Sequence, residues 1–389
     1  YIRVILISLL FSFTIMMNRR DFFTTTALGS AASILTPSLN FAFPAKVPQA
    51  KMKLSFKPFT LELKHAFGVA VNTRTTTPLV LTTIEYGKFK GYGEASMPPY
   101  LGETQESVMK FLSKVDLSKY ENPLELDTIL SAIDALEPGN TAAKASVDIA
   151  LHDLAGKIMG QPLYNVWGLN KEKTPNTVFT IGIDTPDMVR KKVQEVDPQF
   201  KLLKIKLGRD NDREIIEAVR SVSDKPLVTD ANQGWKDKER ALETIHFLKE
   251  KGAVLIEQPM PKEMIDENAW ITERSPIPVI ADESIKRFGD LIKMKGMYHG
   301  VNLKLMKTTG LREAQKMITV ARAFGMKVMI GCMTETSCAI TAAAHLTPLV
   351  DWADLDGALL SKNDAFKGIT FVDGKITLPN APGIGAVPR

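Results

Sequence analysis

From about residue 177 onward, eight short apolar segments alternate with amphipathic ones, and their starts recur roughly every 25 residues. The segments are "TVFTIGID", "LLKIKLG", "PLVTDAN", "VLIEQP", "PVIADES", "GVNLKLM", "KVMIGCM" and "WADLDG". Between them lie stretches such as "DREIIEAVRSV", "KERALETIHFLKE" and "LREAQKMITVARAFG", whose apolar residues return at helical spacing. One strand, one helix and two short loops account for the period. Eight such units predict a closed parallel (β/α)8 barrel of the TIM type in an α/β protein. An open doubly wound sheet would place a glycine-rich phosphate loop after the first strand, and "TIGIDTPD" has none.

The preceding region reads differently. Residues from about 51 to 95 carry strand patterns and those from about 104 to 160 carry helical ones. They predict a small α+β capping domain over 51–165, with the barrel over 175–360. The segment 361–389 contains "FVDGKIT", a hairpin with an Asp-Gly turn, and is expected to return to the capping domain. With 24% charged residues and a formal net charge of +5, and with no basic run, the chain does not look like a nucleic-acid binder. Cys332 and Cys338 provide neither a disulfide framework nor a zinc spacing.

Residues 1–45 read as a targeting segment. "MNRRDFF" followed by a moderately apolar, small-residue stretch resembles a twin-arginine export signal and predicts a periplasmic protein. Translation is expected to start at Met16 or Met17, and cleavage is expected within Ala42–Ala50. The apolar run before the arginines is short for a membrane span.

Barrel enzymes keep their chemistry at the C-terminal ends of the strands. Strand 2 ends with Lys204 and Lys206, strand 3 with Asp230, strand 4 with Glu257, and strand 5 with Asp282 and Glu283. Strand 6 carries Lys304, and strand 8 carries Asp354 and Asp356. Any one of these reads as a cap or a solvated charge, but their recurrence at one end marks a site. Asp230, Glu257 and Asp282 lie on neighbouring strands, where three carboxylates call for a hard divalent cation such as Mg²⁺. Lys206 and Lys304 sit on opposed strands of an eight-membered ring. Asp354 and Asp356 share a face opposite the metal side and suit a cationic group.

In order and spacing, "KIKLG", "DANQGW", "IEQP", "ADES", "NLKLMKTTG" and "DLDG" resemble the enolase superfamily, its muconate-lactonizing subgroup, and within that the dipeptide epimerases. The resemblance implies one Mg²⁺ per active site, held by Asp230, Glu257 and Asp282. It implies Lys206 and Lys304 as two bases that invert an α-carbon through an enolate. Asp354 and Asp356 would hold the substrate's α-ammonium, Lys204 would touch its carboxylate and lower the pKa of Lys206, and Glu335 would orient a lysine. Arg74 in "VNTRTTTP" matches an arginine that meets the glutamate side chain in Ala-Glu epimerases. The expected partners are therefore a dipeptide, of the L-Ala-D/L-Glu type found in murein, and further copies of the chain in a homo-oligomer. A sugar-acid dehydratase would need a histidine at a barrel strand end, and none is there. An o-succinylbenzoate synthase or cycloisomerase would not need the strand 8 aspartates. An exported dipeptide-binding protein would not need both lysines.

Overall fold

The computed structural model describes residues 50–68 and 73–389. Three antiparallel strands come first: β1 (Lys53–Gly68), β2 (Thr73–Tyr86) and β3 (Phe89–Ser96), in that order across the sheet. Helices α1 (Gln105–Leu112), α2 (Leu126–Asp134) and α3 (Thr141–Met159) follow, with the single turn α4 (Leu163–Val166) after them. Nearly the whole circumference of α3 is buried. The motif "GYG" explains how it lies so close to β3. A Cβ on Gly91 would come within 2.0 Å of the Ala150 carbonyl oxygen, and one on Gly93 within 1.9 Å of that of Ser146. Only glycine lets the helix backbone pack directly onto the strand.

The eight expected strands form one parallel sheet: β4 (Val178–Ile181), β5 (Leu202–Lys206), β6 (Leu227–Asp230), β7 (Ala253–Glu257), β8 (Val279–Ala281), β9 (Gly300–Lys304), β10 (Lys327–Gly331) and β11 (Trp352–Asp354). They are joined in sequence order, with helices α5 (Pro186–Gln194), α6 (Asp212–Arg220), α7 (Lys238–Glu250), α8 (Ile265–Arg274), α9 (Phe288–Lys293), α10 (Leu311–Ala323) and α11 (Ser337–Ala344) between. Thr185 caps α5, with Pro186 at its first position, as helix starts favour. The ring closes between β11 and β4 through one isolated bridge, Thr177 to Ala353. Side chains reinforce that seam. Leu355 N–H donates to Thr177 Oγ1 at 3.0 Å, and Thr180 N–H donates to Asp356 Oδ2 at 2.6 Å.

Val178, Val228, Leu255, Ile280 and Met329 form a separate apolar cluster contributed by five barrel strands. Leu203, Ile205 and Leu207 belong to the larger core. Lys204 and Lys206, on the other face of β5, are buried too, so both faces are covered, as in parallel sheets generally. The segment 361–389 bonds to both the sheet and the helices of the capping region. Lys362 N–H donates to Glu62 O at 2.8 Å, and Ile384 N–H donates to Asp153 Oδ1 at 2.9 Å. Its Asp373-Gly374 hairpin lies instead at the entrance of β4, where Thr177 N–H donates to Gly374 O at 3.0 Å. Among the described residues, no helix is long and apolar enough to cross a membrane.

Candidate active site

Strand register levels the charged residues. Lys206 pairs with Asp230 and Asp230 with Glu257 across β5, β6 and β7, while Lys304, Gly331 and Asp354 stand level across β9, β10 and β11. Asp230, Glu257 and Asp282 are all buried. Each spends one oxygen on a neighbouring donor. Asn232 N–H donates to Asp230 Oδ1 at 2.9 Å, Asn302 Nδ2 to Glu257 Oε1 at 2.7 Å, and Lys307 Nζ to Asp282 Oδ1 at 2.5 Å. The other oxygen of each meets an ammonium group. Lys206 donates to Asp230 Oδ2, Lys204 to Glu257 Oε2 and Lys304 to Asp282 Oδ2, each at 2.7 Å.

Lys204 sits deeper than expected. It is 1% exposed and lies outside the cavity lining. Its ammonium also approaches Asp230 Oδ2 at 3.1 Å and donates to Asp354 Oδ2 at 2.6 Å. Period-two reading gives the face of a side chain but not its depth, and two residues along a strand separate a cavity wall from a floor. In this structure Lys204 ties the carboxylates of the two sides together. Burial alone would lower its pKa, but Asp354, Glu257 and Asp230 outweigh that and hold it well above the usual lysine range. Lys304 is likewise held well above that range, with Asp282, Tyr100 and Glu257 outweighing its burial.

A cavity open to solvent lies at this end of the barrel. Lys206, Lys304, Asp282, Asp354, Asp356 and Arg74 all line it. Asp356 is held by Thr180, whose backbone N–H and hydroxyl both donate to it. Arg74 donates through Nη2 to Thr334 Oγ1 at 2.8 Å, and its buried Nε has no partner among the described residues. Glu335, expected to orient a lysine, accepts from Met333 N–H at 3.1 Å. Sequence reasoning passed over Lys307 and Asn302. Lys307 stands in the apolar run "LKLMK", where a second lysine signals burial, whereas a neutral amide gives no charge signal. Tyr100 and Thr180 also line the cavity.

Carboxyl groups outnumber ammonium groups here. Burial, reinforced by Asp230, pushes Glu257 up to about 7. Burial with Asp282 pushes Glu283 to about 8, burial with Glu94 pushes Glu335 to about 8, and burial with Asp354 pushes Asp356 to about 7. Asp230 and Asp282 stay below the usual range because their lysines outweigh burial. The excess negative potential favours added cations. With the lysines seated on them, the carboxylates do not form a ready metal cage among the described residues. The donor set nevertheless fits a hard cation. It is all oxygen, and two further buried acceptors beside it, Asn232 Oδ1 and Glu283 Oε2, lack a donor among the described residues.

The family described as mandelate racemase/muconate lactonizing enzyme, N-terminal domain, matches residues 57–168, and the one described as enolase C-terminal domain-like matches residues 187–389. This chain belongs to the enolase superfamily. Within it, the chain is 58% identical over 381 residues to the L-Ala-D/L-Glu epimerase of Bacteroides thetaiotaomicron, covering 96% of this chain and 100% of that one. It is similar in structure to the substrate-liganded L-Ala-D/L-Glu epimerase of Bacillus subtilis, with TM-score 0.82 and 30% identity over 87% of this chain and 99% of that one. The dipeptide epimerase of Cytophaga hutchinsonii, solved with Mg and D-Ala-L-Val, gives TM-score 0.82 and 28% identity over 87% and 96% of the two chains. The barrel with its capping sheet is the architecture of this superfamily, and the fold read from the strand repeat is borne out.

Proposed function

We propose that this protein is a Mg²⁺-dependent dipeptide epimerase that inverts the α-carbon of the C-terminal residue by two-base 1,1-proton transfer. The observation that carries this reading is a single cavity lined by Lys206 and Lys304 from opposed strands, with carboxylates on both remaining sides. The names of the B. thetaiotaomicron and B. subtilis relatives, and the Mg and dipeptide of the C. hutchinsonii structure, support it.

Asp230, Glu257 and Asp282 would hold the Mg²⁺. When bound, the ion supplies positive charge where the substrate carboxylate becomes an enolate. Lys206 and Lys304 act from opposite faces. One, as the amine, takes the α-proton, and the other, as the ammonium, returns a proton to the far face, so the centre inverts; a cation on Asp282 and Glu257 would offset the negative charge that otherwise keeps Lys304 protonated. Asp354 and Asp356 meet the α-ammonium and orient the dipeptide. Lys204, buried among carboxylates of both sides, remains an ammonium that holds them in place.

The reading names L-Ala-D/L-Glu or a related murein dipeptide as substrate, with Arg74 Nε, which has no partner among the described residues, offered to the side-chain carboxylate. It includes a division of labour between a cap over 51–165, a barrel over 175–360 and the returning segment 361–389. Homo-oligomeric assembly and periplasmic location belong to it as well. The export segment falls among residues 1–49, outside the described residues. Changing Arg19 and Arg20 together to lysine is expected to trap the protein in the cytoplasm, and unchanged periplasmic protein on fractionation would refute export. For the activity itself, a dipeptide library incubated in D₂O and read by mass spectrometry should show α-deuterium in L-Ala-L-Glu or its relatives. Exchange in no dipeptide would refute the reading.

A further inference from the structure

Asn302 lies on β9 beneath the cavity and is fully buried. Its Nδ2 donates to Glu257 Oε1 at 2.7 Å. Its backbone carbonyl accepts from Lys307 Nζ at 2.8 Å, and Lys307 in turn donates to both the backbone O and Oδ1 of Asp282. One residue is thereby tied to two of the three neighbouring carboxylates.

The arrangement has a local penalty. As a carboxylate, the form that would bind a cation, Glu257 can only accept, so the amide turns its nitrogen towards it. Asn302 Oδ1 then faces away and is buried with no partner among the described residues. It faces β10 at Gly331, where a Cβ would come within 2.5 Å of Oδ1 and 2.9 Å of Nδ2. The glycine is required by this amide and not by backbone conformation, since Gly331 is absent from the positive-φ glycines. A side chain that leaves a buried carbonyl unsatisfied and needs a bare neighbour is poorly chosen for stability alone.

We infer that Asn302 is a positioning residue for the metal site, seated by Gly331: it fixes Glu257 by one oxygen so that the other is presented to a divalent cation. The inference rests on the reading of Glu257 as a metal ligand. Partners that orient metal ligands typically contribute 10–100-fold in affinity.

The test is Mn²⁺ binding to the full metal-free chain without substrate, followed by electron paramagnetic resonance, alongside the thermal midpoint. Asn302→Leu keeps the size and removes both polar atoms. It is expected to weaken Mn²⁺ binding about 10–100-fold while leaving the midpoint near its wild-type value, since Glu257 Oε1 loses its donor as the unsatisfied Asn302 Oδ1 is removed. Gly331→Ala, which pushes on the amide, is expected to weaken binding in the same direction, and it decides the matter if Asn302→Leu does not fold. Wild-type Mn²⁺ affinity in these variants would overturn the inference, as would a loss of affinity matched by a fall in midpoint. Glu257→Gln separates the two layers. If it binds Mn²⁺ like wild type, Glu257 is not a ligand and the underlying reading fails.

Discussion

Each of the three neighbouring carboxylates holds one oxygen on the scaffold and offers the other to an ammonium, so charge and orientation are set residue by residue. Asp230→Asn, Glu257→Gln and Asp282→Asn keep shape but remove charge from a hard-cation site. Each is expected to lower kcat/KM by at least about 10²-fold, the lower end for removing a group that acts in the transition state. Steady-state kinetics with added Mg²⁺ checks this, and full wild-type activity in excess EDTA would contradict it. Asp354→Asn should instead raise KM for dipeptides with a free amino terminus, because an ammonium loses a charge partner. N-acetyl dipeptides should be poor substrates that barely notice the change. The charged members of this site were legible in the sequence because strand ends in a parallel barrel converge. The depth of Lys204 and the part played by Asn302 were not. Both depend on which layer of the barrel a side chain fills, and alternation along a strand does not encode that.

At the scale of elements, the cap and barrel are joined at helix ends. Asp148 on α3 accepts from Leu311 N–H at 2.6 Å and Arg312 N–H at 3.2 Å, capping α10 from another part of the chain. Asp148→Ala should cost about 1–2 kcal/mol, the usual worth of a strong N-cap, and Asp148→Asn should cost less. Denaturant unfolding measures both. His345, just past α11, accepts from Tyr164 N–H at 3.1 Å through Nδ1 and meets Ile384 O at 3.0 Å through Nε2. Those two bonds suit a neutral imidazole, and burial lowers its pKa to about 4. An unfolded histidine titrates near 6.5, so on acidification the unfolded state takes up the proton first. The stability is therefore complete above about pH 6.5 and is lost as pH falls towards 4. Wild type should lose about 2 kcal/mol through this group between pH 7.5 and pH 5, and His345→Gln should lack that increment. An equal pH slope in both proteins would contradict the assignment. The strands were legible from their spacing, down to the three residues of β8. The six-residue α9 carries too few turns for periodicity to register. The close packing of α3 on β3 was not legible either, because a glycine pair announces permission rather than a partner.

For the molecule as a whole, ring closure decides the chemistry. Eight strands joined in sequence order place β5 and β9 four apart, and only in a closed ring does that set Lys206 against Lys304. The strand period alone made this geometry readable, since a repeat of eight units leaves the chain little other way to cover its apolar faces. The central claim is that these two lysines serve opposite faces of one carbon. Its most direct measurement is α-proton exchange in D₂O, starting separately from each epimer of the preferred dipeptide, for Lys206→Ala and Lys304→Ala. Each variant should lose epimerisation by about 10²–10⁴-fold or more, yet each should still exchange the α-proton of one epimer, and the two variants should choose different epimers. Exchange of the same epimer by both variants, or epimerisation surviving in either, would contradict the account.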